Sequence, residues 1–120
     1  MLPTGGYREM ETELTKGTIC LLLLSLLSRK SMYGYEIATT IRKRTDGILE
    51  WKEGTLYPNL HKLEKDGLLV AEWEGDAGTR RRKYYRITEA GLAELQDRAN
   101  RWAAFTRAMT GVLEEPDEGN

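Results

Sequence analysis

Two short stretches hold most of the side chains able to make specific polar contacts. Between Gly54 and Gly67 stand Thr55, Tyr57, Asn59, His61 and Lys62, and a second stretch is four consecutive cations, Arg80, Arg81, Arg82 and Lys83. The first set offers hydroxyl, amide, imidazole and ammonium groups, suited to base edges and groove walls, and the second offers charge to phosphates. Bond-making chemistry lacks its parts. With one His and one Cys in 120 residues there is no metal-ligand cluster, and no Ser or Cys nucleophile set beside His61. Nor is there a Gly-rich phosphate loop, so the reading is a binding protein with no cofactor and no metal, and not an enzyme.

The elements that must position these groups follow from the spacing of apolar residues. Leu56, Leu60 and Leu63 fall at i, i+4 and i+7, one stripe of a helix over Gly54–Gly67. Gly54 or Thr55 is the expected N-cap, with Pro58 in the first turn, and Gly67 the expected stop in a left-handed cap. Pro58, His61, Lys62 and Lys65 then face away from the leucines, with Tyr57 and Asn59 on the flanks.

Upstream, the run Ile19–Leu27 is apolar almost all round, which predicts a central helix from about Leu14 to Ser28. A second helix is expected over Met32–Arg44, capped by Ser31, with Tyr33, Ile37 and Ile41 one turn apart. Gly34 inside it weakens a helix by about 1 kcal/mol relative to Ala, which a close approach to its backbone would explain. The closing Arg42-Lys43-Arg44 admits two readings, compensation of the helix dipole or phosphate contact. After the Asp46-Gly47 turn, Ile48–Trp51 is a very short strand or an extended link.

Downstream of Gly67 the period changes to two. Leu69, Ala71 and Trp73 alternate with Val70, Glu72 and Glu74, and residues 81–87 return as a second strand with Tyr85 and Ile87 on one face. Four adjacent cations at the tip of this hairpin repel one another unless a polyanion lies near, which favours phosphate or minor-groove contact. Thr88 is the expected cap of a long last helix. Along it Leu92, Leu95, Ala99, Trp102, Met109 and Leu113 recur at spacings of three and four once Thr106, the one polar entry, is counted, an a/d seam that either joins two subunits or folds back on the first helix.

Composition agrees with a modest one-domain globular protein, 40% hydrophobic and 31% charged. Net charge is −1, yet residues 29–86 carry 13 Lys/Arg against 9 Asp/Glu while the flanks carry 5 against 10. A basic centre between acidic ends suits a nucleic-acid module joined to segments with another task. A lone Cys20 in an apolar run fits a reducing compartment. The run Ile19–Leu27 is too short to span a bilayer, which takes about 20 residues, and acidic Glu9, Glu11 and Glu13 before it are unlike a signal peptide.

Four motifs in order carry a family resemblance: Tyr33-Gly34-Tyr35-Glu36-Ile37, Gly54-Thr55-Leu56-Tyr57-Pro58, Leu63-Glu64-Lys65-Asp66-Gly67-Leu68, and Arg82 to Gly91 (Arg-Lys-Tyr-Tyr-Arg-Ile-Thr-Glu-Ala-Gly). Over about residues 14–113 the chain resembles the PadR family of bacterial transcriptional regulators, in its short form with a single C-terminal helix. The resemblance implies a mainly α fold with a small β hairpin. It makes 13–87 a winged helix-turn-helix domain and 88–115 a C-terminal dimerisation helix; by their polar composition, residues 1–12 are a flexible N-terminal segment, frayed or ordered only against another chain, and 116–120 a polar tail. It also implies a cytoplasmic homodimer, on the nucleoid when bound, acting as a regulator, usually a repressor, on a double-stranded DNA operator.

In multidrug-sensing members a Trp on the last helix stacks on planar aromatic ligands at the dimer interface, and Trp102 falls at the matching distance, near Phe105 and Met109. Interface packing alone remains the other reading of Trp102. The expected base or groove contacts are Thr55, Tyr57, Asn59, His61 and Lys62, with Tyr33, Lys52, Arg80, Arg81, Arg82 and Lys83 on phosphates or in the minor groove. The rival function is a winged-helix protein-interaction module without sequence-specific DNA binding; the cationic wing and polar helix face weigh against it.

Overall fold

The computed structural model describes residues 17–75, 78 and 80–114. The expectations for segments 1–12 and 116–120, and for a helix start near Leu14, fall on residues outside that set. The helix itself, α1, runs Ile19–Leu27, after a turn at Gly17 and Thr18. Its position is central, as its composition predicts. Leu23, Leu24, Leu26 and Leu27 are buried, and it touches the third and last helices and the sheet.

Two boundaries differ from those expected. The second helix, α2, spans Gly34–Arg44, not Met32–Arg44, and Met32–Tyr33 is a short strand, β1. Local spacing could not show this, because β1 owes its conformation to pairing with residues about 50 positions later, Met32 with Tyr85 and Tyr33 with Tyr84. Gly34 is therefore the first residue of α2. The expected close approach to it exists, and it is made by the ring of Tyr57.

The third helix, α3, spans Glu53–Lys65, and its N-cap position is Lys52, not Gly54 or Thr55. No side chain caps it; the Lys52 carbonyl accepts from the backbone N–H groups of Thr55 and Leu56, both at 2.9 Å. Pro58 thereby falls in the second turn. It has no N–H for the carbonyl of Gly54 four residues back, and Gly54 is exposed, so water can serve that oxygen. The C-terminal end is as expected. Gly67 has φ +78°, its N–H donates to Glu64 O at 3.0 Å, and Leu68 N–H donates to Leu63 O at 2.9 Å, the double closure of a Schellman cap.

Residues 45–52 link α2 to α3. The Thr45 hydroxyl caps the link, donating to Ile41 O at 2.8 Å and accepting from Leu49 N–H at 3.0 Å. No strand forms here: residues 45–48 are turn and bend, 49–52 take no regular structure, and the link buries Trp51.

Strands β2, Leu69–Glu74, and β3, Arg82–Ile87, form the wing, and the sheet order is β1-β3-β2, all antiparallel. The expected two-stranded hairpin is thus a three-stranded sheet. Leu69, Ala71 and Trp73 pair with Ile87, Tyr85 and Lys83. That face covers the core near α3, where Leu69 and Tyr85 are buried; Trp73, near the tip, is 58% exposed. Burial pushes the Tyr85 phenol up, opposed by neighbouring Lys83.

The last helix, α4, spans Glu89–Leu113. Thr88 is its cap: the hydroxyl accepts from Gly91 N–H at 3.0 Å and donates to Gly67 O at 2.7 Å. One side chain so ties the start of α4 to the end of α3. The first half of α4 lies on α1, with Leu95 packed against the core and Ala99 half-buried. From Asn100 onward every described residue is exposed, and the molecule reaches 70 Å in its longest dimension. The seam is thus split between its own chain and solvent.

Candidate nucleic-acid interface

The leucine stripe of α3 is wholly inward: Leu56, Leu60 and Leu63 are at most 2% exposed. The face opposite is open, with Lys52, Thr55, His61 and Lys62 all exposed. The two flanking residues behave differently from these. Tyr57 is half-buried against Gly34, leaving its ring 6.3 Å from that of His61 at the margin of the face. Asn59 is also half-buried and turned toward α1. Its amide donates to Thr55 O at 2.7 Å and its oxygen accepts from the Cys20 thiol at 3.7 Å. Both of its polar atoms are engaged within the fold.

The cations of residues 80–83 take different partners, and the two that lie in β3, Arg82 and Lys83, face opposite sides of the strand. Lys83 shares the inner face with Tyr85, and its Nζ lies 3.5 Å from Glu64 of α3 and 5.3 Å from the centre of the Tyr85 ring. Arg82 is on the other face, its guanidinium 4.6 Å over the ring of Tyr33. Arg81, just before β3, stacks 5.4 Å over Trp73. Different partners thus hold three of the four cations, so adjacency in the chain alone is a weaker sign of a polyanion. Rings holding the guanidiniums in fixed places are a separate sign, since they present planar donors at low entropic cost.

Helix and wing face each other across an open groove of about 760 Å³. Its walls include Tyr57 and His61 of α3, Tyr33 of β1, and Arg80, Arg81, Arg82 and Lys83 of the wing. Of the residues expected at the interface, these seven line one concavity. Lys52, Thr55, Asn59 and Lys62 lie outside the groove on α3 or at its cap. The groove also uses residues that sequence reasoning passed over: Tyr35, 70% exposed with its ring 6.5 Å from that of Tyr33, and Trp73. The signal for Trp73 was present in the strand register, which sets it opposite Lys83. Among the described residues no group of three or more His, Cys, Asp or Glu could hold a metal ion.

A second, smaller recess of about 310 Å³ lies between the start of α1 and the middle of α4. Leu21, Arg98, Arg101, Trp102 and Phe105 line it, and the rings of Trp102 and Phe105 are 5.9 Å apart. Met109, expected with them, lies one turn further along α4 and outside the recess. Around it Arg98 and Arg101 are tied to Glu94 and Asp97 in a small ion-pair network. Among the described residues no helix is long and apolar enough to cross a membrane.

Residues 23–97 match the family described as "Transcriptional regulator PadR-like family". The chain is 35% identical over 105 residues to an uncharacterized protein of Lysinibacillus sphaericus, covering 88% of this chain and 96% of that one. It is 47% identical over 58 residues to transcriptional regulator Rv3488 of Mycobacterium tuberculosis, 48% of this chain and 53% of that protein, so this match spans about half of each. Among solved structures, a PadR family transcriptional regulator from Eggerthella lenta superposes with a TM-score of 0.79 at 34% identity, over 91% of this chain and 93% of that one.

Proposed function

Because the chain belongs to the PadR-like family of transcriptional regulators, we propose that it works as a homodimer that grips a palindromic operator and represses transcription there. Residues 13–87 form the DNA-binding unit in this reading and 88–115 the dimerising one. Each α3 enters a major groove, with Thr55, His61 and Lys62 toward base edges or groove walls. Tyr33, Lys52, Arg80, Arg81 and Arg82 take phosphates or the minor groove alongside. A two-fold axis between the copies puts the two helices about 34–36 Å apart, one turn of the duplex.

The observation that carries the reading is the groove itself. An uncovered polar helix face stands beside guanidiniums held on aromatic rings, and a duplex offers base edges and phosphates at that same juxtaposition. The exposed row Trp102, Phe105, Met109, Val112 and Leu113 on α4 supports a second subunit, since large apolar side chains left together on one free helix mark an interface. In the dimer, Trp102 and Phe105 offer a planar aromatic effector a stacking surface, and an effector that fits one spacing of the two heads better than another changes DNA affinity. Repression then follows from occupancy of a promoter.

Selection of bound DNA from a random pool tests this directly. A palindrome with half-sites one helical turn apart is the expected result. Recovery of no preferred sequence, from a protein that is nonetheless folded, would move the function to the protein-interaction module.

A further inference from the structure

We infer that Lys83 is not a phosphate contact but a positioning residue, which with Glu64 sets the angle between wing and α3 and thereby the reach of the arginines. The inference rests on the operator-binding reading and assigns one of its cations a different task. Four observations carry it. Lys83 Nζ lies 3.5 Å from Glu64 Oε1, and the two side chains are only 30% and 36% exposed. The same ammonium sits 5.3 Å over the ring of Tyr85, which is itself buried. Glu64, in the last turn of α3, is on the flank that meets β3, roughly opposite Thr55 and Lys62 around the helix axis. Lys83 shares the inner strand face with Tyr85 and Ile87, while Arg82 and Arg86 occupy the outer one.

The two tasks differ in what they ask of the carboxylate. A lysine reaching for phosphate beside Glu64 would be opposed by it, because Glu64 would repel the same polyanion. A lysine that bridges helix to strand needs that carboxylate. The change Glu64→Gln therefore acts with opposite signs in the two cases. In the bridging role, losing the carboxylate frees the wing and weakens binding. In the phosphate role, losing it removes a repulsion and tightens binding.

The test measures operator affinity against salt concentration for the full chain and for Lys83→Met, Glu64→Gln, the double variant and Lys83→Arg. Expected are losses of roughly three- to tenfold in each single variant, small because partly exposed ion pairs couple weakly and doubled because two copies act. The double variant should be no worse than either single, Lys83→Arg should retain binding, and the slope of log affinity against log salt should stay at the parent value. A slope flattened by about 0.9 for each phosphate that Lys83→Met leaves unneutralised, or tighter binding by Glu64→Gln, overturns the assignment. Amide hydrogen exchange in residues 69–74 and 82–87 supplies a readout without DNA. Faster exchange in Glu64→Gln is expected, with the rest of the core unchanged, and no difference overturns the inference. A parent protein that binds no DNA defeats the operator reading alone, and the exchange experiment still decides the bridge.

Discussion

The ring of Tyr57 occupies the space that a side chain on Gly34 would need: a Cβ built there would stand 2.7 Å from Cζ and 2.9 Å from Cε1. This packing joins the first residue of α2 to the middle of α3, so it sets how the two helices of the helix-turn-helix cross. Gly34→Ala should destabilise the fold by about 1–3 kcal/mol through overpacking. Adding Tyr57→Ala removes the clash. Thermal unfolding should then show the double variant no less stable than Tyr57→Ala alone, a coupling expected of residues that touch. Simple addition of the two destabilisations would mean that the packing is not what requires glycine.

The stacked guanidiniums of the wing should act through phosphate charge. Arg81→Ala with Arg82→Ala should weaken binding to every DNA sequence and flatten its salt dependence, by up to about 0.9 in slope for each phosphate no longer neutralised. Fluorescence anisotropy over a series of salt concentrations measures this. A parallel line at lower affinity would remove both from the phosphate set.

The far end of α4 should be needed for assembly and not for the fold. Met109 is 44% exposed and Val112 84% exposed, and both are outside the core. Replacing both by Glu should give a folded monomer with an unfolding temperature unaffected apart from the loss of subunit linkage, and weak operator binding. Light scattering coupled to size exclusion reads the mass. An unchanged dimer would place the interface elsewhere.

A planar aromatic dye should quench tryptophan emission less in Trp102→Ala than in the parent. Trp51 is buried in the link before α3 and Trp73 is held under Arg81 on the wing, so they report on other places. Equal quenching in the variant would argue against stacking at Trp102 and leave it an interface residue.

Much of this was legible in the chain itself. The leucine stripe of α3, the left-handed stop at Gly67, the cap at Thr88 and the inner face of the wing are local properties: they depend on residues within one or two turns of one another. What tertiary structure decided was of longer range. Met32 and Tyr33 become strand only because β3 lies beside them, and Gly34 is required only because Tyr57 arrives from another helix. Asn59 is engaged within the fold, its oxygen meeting Cys20 of α1. The run of four cations, one feature in the sequence, becomes several: Arg81 on Trp73, Arg82 on Tyr33 and Lys83 on Glu64. The physical reason is the same in each case. Period and capping are written in neighbouring residues, whereas the partner of a side chain is set by which distant segment the folded chain brings within a few ångströms.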